Sequence, residues 1–304
     1  MSLVVVGSVA YDGVVTPHGS VERMLGGACT YISLAASYFT PVRIVGVVGN
    51  DFAEEDHQLL AGRGIDTAGL ERADGLTFFW QGEYFENMNQ RRTLRTDLNV
   101  FETFDPKLPA HYQDEDYLLL GNIQPALQRQ VRAQMKSPKL TGGDTMNLWI
   151  DIAREELLKT IAEWDVLVIN DEEAHMLSGE KSLRKSAEKI LAMGPKTLII
   201  KRGGDGAAIY RADHYFVAPA FPLDSLFDPT GAGDCFAGGF FGYLAGIGFN
   251  PASDFDKKEL NRAVVFGSVM GSYCCERFGV DRFRTLTREE IDARYNQFKE
   301  FTHF

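Results

Sequence analysis

Short apolar runs of strand length return along this chain at near-regular intervals, each followed by a stretch with helical periodicity. "LVVVG" (3–7), "VRIVGVVG" (42–49), "DYLLLGN" (116–122), "LWIDI" (148–152), "DVLVIND" (165–171) and "TLIIKRG" (197–203) read as strands. Several are apolar at nearly every position, as expected when helices cover both faces of a parallel sheet. Residues 28–39, 51–63, 125–135, 153–162 and 182–193 read as the helices between them. Strands alternating with helices predict a doubly wound α/β fold whose mainly parallel sheet is flanked by helices.

Two segments break this rhythm. Residues 13–24, "GVVTPHGSVERM", and 75–104, "GLTFFWQGEYFENMNQRRTLRTDLNVFETF", contain no crossover helix. The second alternates aromatic and polar residues (Phe79, Tyr84, Phe85) as a hairpin would, and thirty residues without structure are uncommon inside a domain. Both are expected to form a small β-strand lid over one sheet edge, within a single domain spanning 1–304. The chain shows no internal repeat, low-complexity tract or linker. From about Gly233 onward it reads as mainly helical.

Composition narrows the partners. With 304 residues, 45% of them hydrophobic, the chain can bury a large core. Its net charge of -11 argues against a nucleic-acid or membrane-surface protein, which usually carries a basic patch. An acidic protein that binds anions must do so locally, with backbone amides or a few aimed cations. Cys29, Cys235, Cys274 and Cys275 form no C-x-x-C pattern, which favours buried reduced thiols and a reducing cytoplasmic compartment. The opening "MSLVVVGSVAYDG" reads as a first strand rather than a leader, and no run is long enough for a membrane span.

The candidate chemistry lies in "DPTGAGDCFAGGF", Asp228 to Phe240. A strand-like segment (214–221) leads into a glycine turn, then an apolar helix rich in small residues. The first amides of a helix lack internal partners and sit at the positive end of its dipole. Glycines let an anion approach them closely. A carboxylate beside a phosphate then has a role if it faces an alcohol: it accepts the hydroxyl proton as the bond to phosphorus forms. The spacing serves equally well for an aspartate closing an ordinary turn. Neither G-x-x-x-x-G-K-[ST] nor, after the first strand, G-x-G-x-x-G is present.

This stretch closely resembles the C-terminal signature of the ribokinase-like (PfkB) family of carbohydrate and nucleoside kinases. "GGACTYISLAASYF" (26–39) resembles the family's N-terminal glycine-pair signature, "INDEEAHML" its N-x-x-E motif, and "NRAVVFGSVMGSYCCERFG" its helical segment near the adenine. The likeness spans essentially the whole chain. It implies an ATP-dependent, Mg²⁺-requiring phosphotransferase. In it Asp234 is the base, and Gly231, Ala232 and Gly233 supply the amides of an anion hole. Asp12, Gly26, Gly27 and Tyr31 face the acceptor. Asn170 and Glu173 organise Mg²⁺ near the phosphates; as bare residues they also read as a helix N-terminus with dipole-favoured acids. Lys201, Gly203, Gly233 and Ser268 line the nucleotide. Asp228 and Thr230 fall where some members bind a monovalent cation, usually K⁺, although Asp228 before Pro229 is also a turn former. Lys201 and Arg202 end a strand where phosphate could lie, or are solvated there.

The acceptor is harder to read. Tyr31 stands where many sugar kinases of the family have asparagine, and a phenol cannot offer an amide's paired donor and acceptor. The lid's Phe78, Phe79, Trp80, Tyr84 and Phe85 could stack on a base, exclude water or pack the lid. Arg91, Arg92 and Arg95 could meet an anionic acceptor or lie on a polar surface. The expected acceptor is a hydroxyl of a small sugar. The alternatives are a nucleoside, or a substrate-binding regulator that kept the fold and lost the chemistry. An exposed lid edge could pair two copies into a homodimer.

Overall fold

The structure, a computed structural model, describes residues 1–251 and 257–302. The apolar runs form the spine of a nine-stranded sheet. In chain order its strands are β1 (Leu3–Val6), β4 (Val42–Val48), β5 (Asp66–Arg72), β8 (Tyr117–Leu120), β9 (Leu140–Asp144), β10 (Val166–Asn170), β11 (Thr197–Lys201), β12 (Ala207–Arg211) and β13 (His214–Ala218). Their spatial order is β13-β12-β11-β10-β9-β8-β1-β4-β5, and only the pairings of β12 are antiparallel. A second, four-stranded sheet, the lid, takes β2 (Ala10–Thr16), β3 (Gly19–Gly26), β6 (Phe79–Tyr84) and β7 (Arg91–Asp97) in the order β3-β2-β6-β7.

The apolar runs are buried on both faces because alternate side chains feed two cores. Leu3 and Val5 pack with α1 (Ala28–Ala36), α8 (Ala232–Gly246) and α9 (Lys257–Cys274). Val4 and Val6 face the opposite core, which includes residues of α3 (Pro125–Gln134), α4 (Asn147–Ile152), α5 (Arg154–Ile161), α6 (Asp171–Ser178) and α7 (Leu183–Leu191). The remaining helices are α2 (Glu54–Gly62) and α10 (Arg288–Thr302). Among the described residues, no helix is long and apolar enough to cross a membrane.

Two departures from the pattern have physical reasons. "LWIDI" (148–152) is not a strand but most of α4; the strand is "LTGGD" one segment earlier. Its glycines look like breakers, yet each makes room for an aromatic ring. A Cβ on Gly142 would overlap the Phe241 ring, and one on Gly143 would lie 2.6 Å from Trp164. The lid also begins earlier than expected, at Ala10, so Asp12 belongs to a lid strand.

Glycines also bring α8 against α1. Gly238, Gly242 and Gly246, spaced one turn apart, face the Ile32 carbonyl, Ala36 and the Phe39 carbonyl, at distances that leave no room for a side chain. Backbone therefore packs on backbone between these two helices.

Candidate active site

α8 begins at Gly231, whose φ of 77° is left-handed. A side chain there would be strained and would also meet the Tyr31 ring at 2.5 Å. No side chain caps the helix. Among the described residues the amides of Gly231, Gly233 and Asp234 take no hydrogen-bond partner, whereas that of Ala232 donates to the Pro229 carbonyl at 3.1 Å. The turn that aims the glycines thus uses the Ala232 amide.

Asp234 lies in the first turn of α8, half-buried. Loss of water raises its pKa, and the charges of Lys201 and Arg91 oppose the rise. Lys201 ends β11 opposite Asn170, and its Nζ hangs 2.6 Å from where a Gly233 Cβ would be. Arg202 instead turns to the Asp205 carbonyl at 2.8 Å. Gly203 opens a short 3₁₀ turn, and a Cβ on it would lie 2.7 Å from Asn89 Oδ1 at the lid's tip. Ser268 is half-buried on α9, one turn before Gly271, which packs on the Ala232 carbonyl. No side-chain bond ties Ser268 to the loop.

Asn170 and Glu173 form a capping box at the start of α6. Asn170 Oδ1 accepts from the Glu173 amide at 2.8 Å, and Glu173 Oε2 from the Asn170 amide at 2.9 Å. Burial raises the Glu173 pKa and Lys201 opposes it. Beside them, at the end of β9, lies a residue that sequence reasoning missed. Asp144 is buried, its Oδ1 has no partner, and neither has the Oγ1 of neighbouring Thr145. Burial pushes the Asp144 carboxyl well up; Asp234 and Glu173 add to this and Lys201 opposes it. "KLTGGD" carries little strand signal of its own, because its glycines take the place of the apolar side chains that mark the other strands.

These hard oxygen donors suit Mg²⁺. Among the described residues no three metal-ligating side chains converge. An ion held here by Asp144 and Glu173 would therefore take its other ligands from water and phosphate. Asp228 is fully buried, with Oδ1 accepting from the Thr230 amide at 2.9 Å and Oδ2 from the Gly279 amide at 3.0 Å. Those bonds tie Asp228 to the loop at Thr230 and to the turn at Gly279.

A second group of expected site residues lies where the lid strands meet α1. Asp12 is 5% exposed and lies so flat on Gly26 that no Cβ fits between them. Burial pushes its carboxyl up to about 7, helped by the charges of Asp228 and Asp234 and opposed by the Gly27 amide and Tyr31. Gly27, φ 93°, caps α1, and a Cβ there would strike the Ser8 carbonyl. Tyr31, 1% exposed, packs its ring on Gly231; its buried hydroxyl approaches Asp12 without a hydrogen bond of normal geometry. The structure thus brings Tyr31 against Gly231 and Asp12 against Gly26, with Gly27 starting the helix that carries Tyr31. The lid aromatics divide. Trp80 and Tyr84 join Val14, Met24 and Met88 in an inner apolar cluster, Phe78 stacks on Phe101 at 5.2 Å, and Phe85 is exposed.

A parallel sheet with an anion cradle at one helix start, a carboxylate inside it and a lid opposite defines a phosphoryl-transfer enzyme of the ribokinase fold. The sequence model for the pfkB family carbohydrate kinase matches residues 2–285, and the chain belongs to that family of alcohol-phosphorylating transferases, which act on sugars or nucleosides. It is 28% identical over 270 residues to a cytidine kinase of Thermococcus kodakarensis, covering 86% of this chain and 95% of that one. Its fold matches Burkholderia thailandensis nucleoside kinase in complex with ADP-inosine (TM-score 0.77, 20% identity, 98% of this chain and 95% of that one). It matches Xylella fastidiosa fructokinase with bound ATP equally well (TM-score 0.77, 18% identity, 97% and 98%).

Proposed function

We propose that this enzyme transfers the γ-phosphoryl group of ATP to a hydroxyl of a small sugar. The observation that carries the reading is the juxtaposition of Asp234, the three unpartnered amides and Lys201 at the start of α8 with Asp12 on the lid. The acceptor hydroxyl hydrogen-bonds Asp12 and lies against Gly26 and Gly27. Its oxygen forms a bond to the γ-phosphorus as the bond from phosphorus to the bridging oxygen breaks. The hydroxyl proton passes to the Asp234 carboxylate, whose raised pKa suits it to receive one. The free amides and Lys201 face the charge on the moving phosphoryl. When bound, Mg²⁺ supplies charge neutralisation and orientation of the phosphate oxygens.

The inner lid cluster supports a second reading. Met24 and Trp80, half-buried and opposite Asp12 in the neighbouring strands, are apolar neighbours that suit a nucleobase attached to the sugar; the cytidine kinase relative points the same way. An ATP-consumption panel of hexoses, pentoses, ketoses and nucleosides separates the two readings. Asp234→Asn should abolish turnover on the accepted substrate while leaving ATP binding near normal, and near-normal turnover in that variant sinks the assignment.

A further inference from the structure

We propose that Arg91, on the lid hairpin, is a catalytic residue that places its guanidinium on the phosphoryl group in flight between ATP and acceptor. The inference rests on the kinase reading and adds a cation from the lid to it.

The strand register sets the direction of each side chain. In the antiparallel β6–β7 pair Tyr84 stands opposite Arg91 and Glu83 opposite Arg92. Residues directly opposite share a face of the sheet. Tyr84 points inward: it is buried, and its hydroxyl receives a hydrogen bond from Thr230 Oγ1 at 3.2 Å, in the very loop that carries the anion hole. Arg91 therefore points inward too, and its guanidinium lies 6.0 Å from the ring of Trp80, another inner-face residue.

The neighbouring arginines behave differently. Arg92 is paired with Glu83 at 2.6 Å and Arg95 with Asp97 at 2.5 Å. Arg91 is exposed toward the cleft and, among the described residues, has no carboxylate within ion-pair distance. Its charge is nevertheless felt at Asp234 and Tyr84. The hairpin tip also sits on the nucleotide side, with Asn89 against Gly203. An unpaired cation that shares a sheet face with Tyr84, which bonds Thr230, on a hairpin whose tip meets Gly203, faces the donor phosphates rather than the far end of the acceptor.

In the transfer, the acceptor oxygen bonds to the γ-phosphorus as ADP departs with the bridging oxygen, and the hydroxyl proton goes to Asp234. Arg91 forms and breaks no covalent bond. Its planar fork donates to two phosphoryl oxygens as their charge rises, an arrangement that a single ammonium reproduces poorly.

The test measures steady-state kinetics of Arg91→Gln, Arg91→Lys and Arg91→Gly on the best acceptor, with Arg92→Gln as the matched lid control. It also measures ATP and ADP binding by calorimetry in an Asp234→Asn background. Arg91→Gln should lower kcat about 100-fold or more with the acceptor KM within about threefold. It should weaken ATP about tenfold while leaving ADP unchanged, Arg91→Lys should recover part of kcat, and added guanidinium should partly rescue Arg91→Gly. Arg92→Gln should stay within about threefold of the parent enzyme. Normal kcat in Arg91→Gln overturns the inference while the kinase reading stands. So does a change confined to the acceptor KM, which would assign Arg91 to an anionic acceptor. A parent chain that neither binds ATP nor consumes it overturns both.

Discussion

Replacing Gly231 with alanine tests whether the anion hole and the acceptor site are joined through one ring. The substitution meets two obstacles. Alanine at φ 77° costs about 1 kcal/mol relative to glycine. Its methyl would also stand 2.5, 2.5 and 2.6 Å from three atoms of the Tyr31 ring, which is packed in a full core and can yield only by pushing on its neighbours. Overpacking of this kind costs about 1–3 kcal/mol, for a total near 2–4 kcal/mol. At about 2–4 °C per kcal/mol for a chain of this size, melting should fall by roughly 4–16 °C. The loop should also shift by a fraction of an ångström to an ångström, enough to lower kcat about 100-fold. Differential scanning calorimetry and steady-state kinetics measure both effects. Repeating the substitution in a Tyr31→Leu background separates the terms, because removing the ring should leave only the backbone cost of about 1 kcal/mol. An equal stability loss in the two backgrounds would refute the contact between ring and loop.

Two further outcomes follow from the buried carboxylates. Asp12 titrates near 7 in the fold against 3.8 for an ordinary aspartate. A raised carboxyl stabilises fully below the unfolded value, and the effect is lost as pH rises through the folded one. The melting temperature of Asp12→Asn should therefore gain on the parent between about pH 4 and pH 8. Over the same range the parent's acceptor KM should fall as Asp12 ionises; a pH-independent difference in melting temperature rejects this account. Asp144→Asn should raise the Mg²⁺ concentration for half-maximal turnover about 10- to 100-fold. A Mg²⁺ titration that superimposes on the parent's removes Asp144 from the ion's surroundings.

Much of this was legible in the chain because the signals were local. The buried parallel strands announce themselves as unbroken apolar runs, and the glycine loop before α8 shows in its spacing. What was hidden depends on partners distant in sequence. β9 reads as loop until Phe241 and Trp164 are seen to need the space of Gly142 and Gly143. Asp144 was lost with it. Strand alternation cannot be counted through the bulge between Gln81 and Gly82 without the register, so the three lid arginines look alike in sequence. Tyr31 could be numbered as a departure from the sugar kinases, but its contact with Gly231 spans 200 residues.

The glycine seam between α1 and α8 acts as a fixed gauge. α1 begins at the Gly26–Gly27 pair and α8 at the Gly231 loop, and Gly238 and Gly242 hold the two rods together with no side chain larger than an alanine methyl where they meet. The spacing of the two helix axes along this seam is thereby set by backbone rather than by long side chains. A lineage adopting a bulkier or smaller acceptor could not retune that spacing by exchanging side chains along the seam. It would have to rewrite the lid and leave the seam untouched, so variation and constancy should fall on opposite walls of the same cleft.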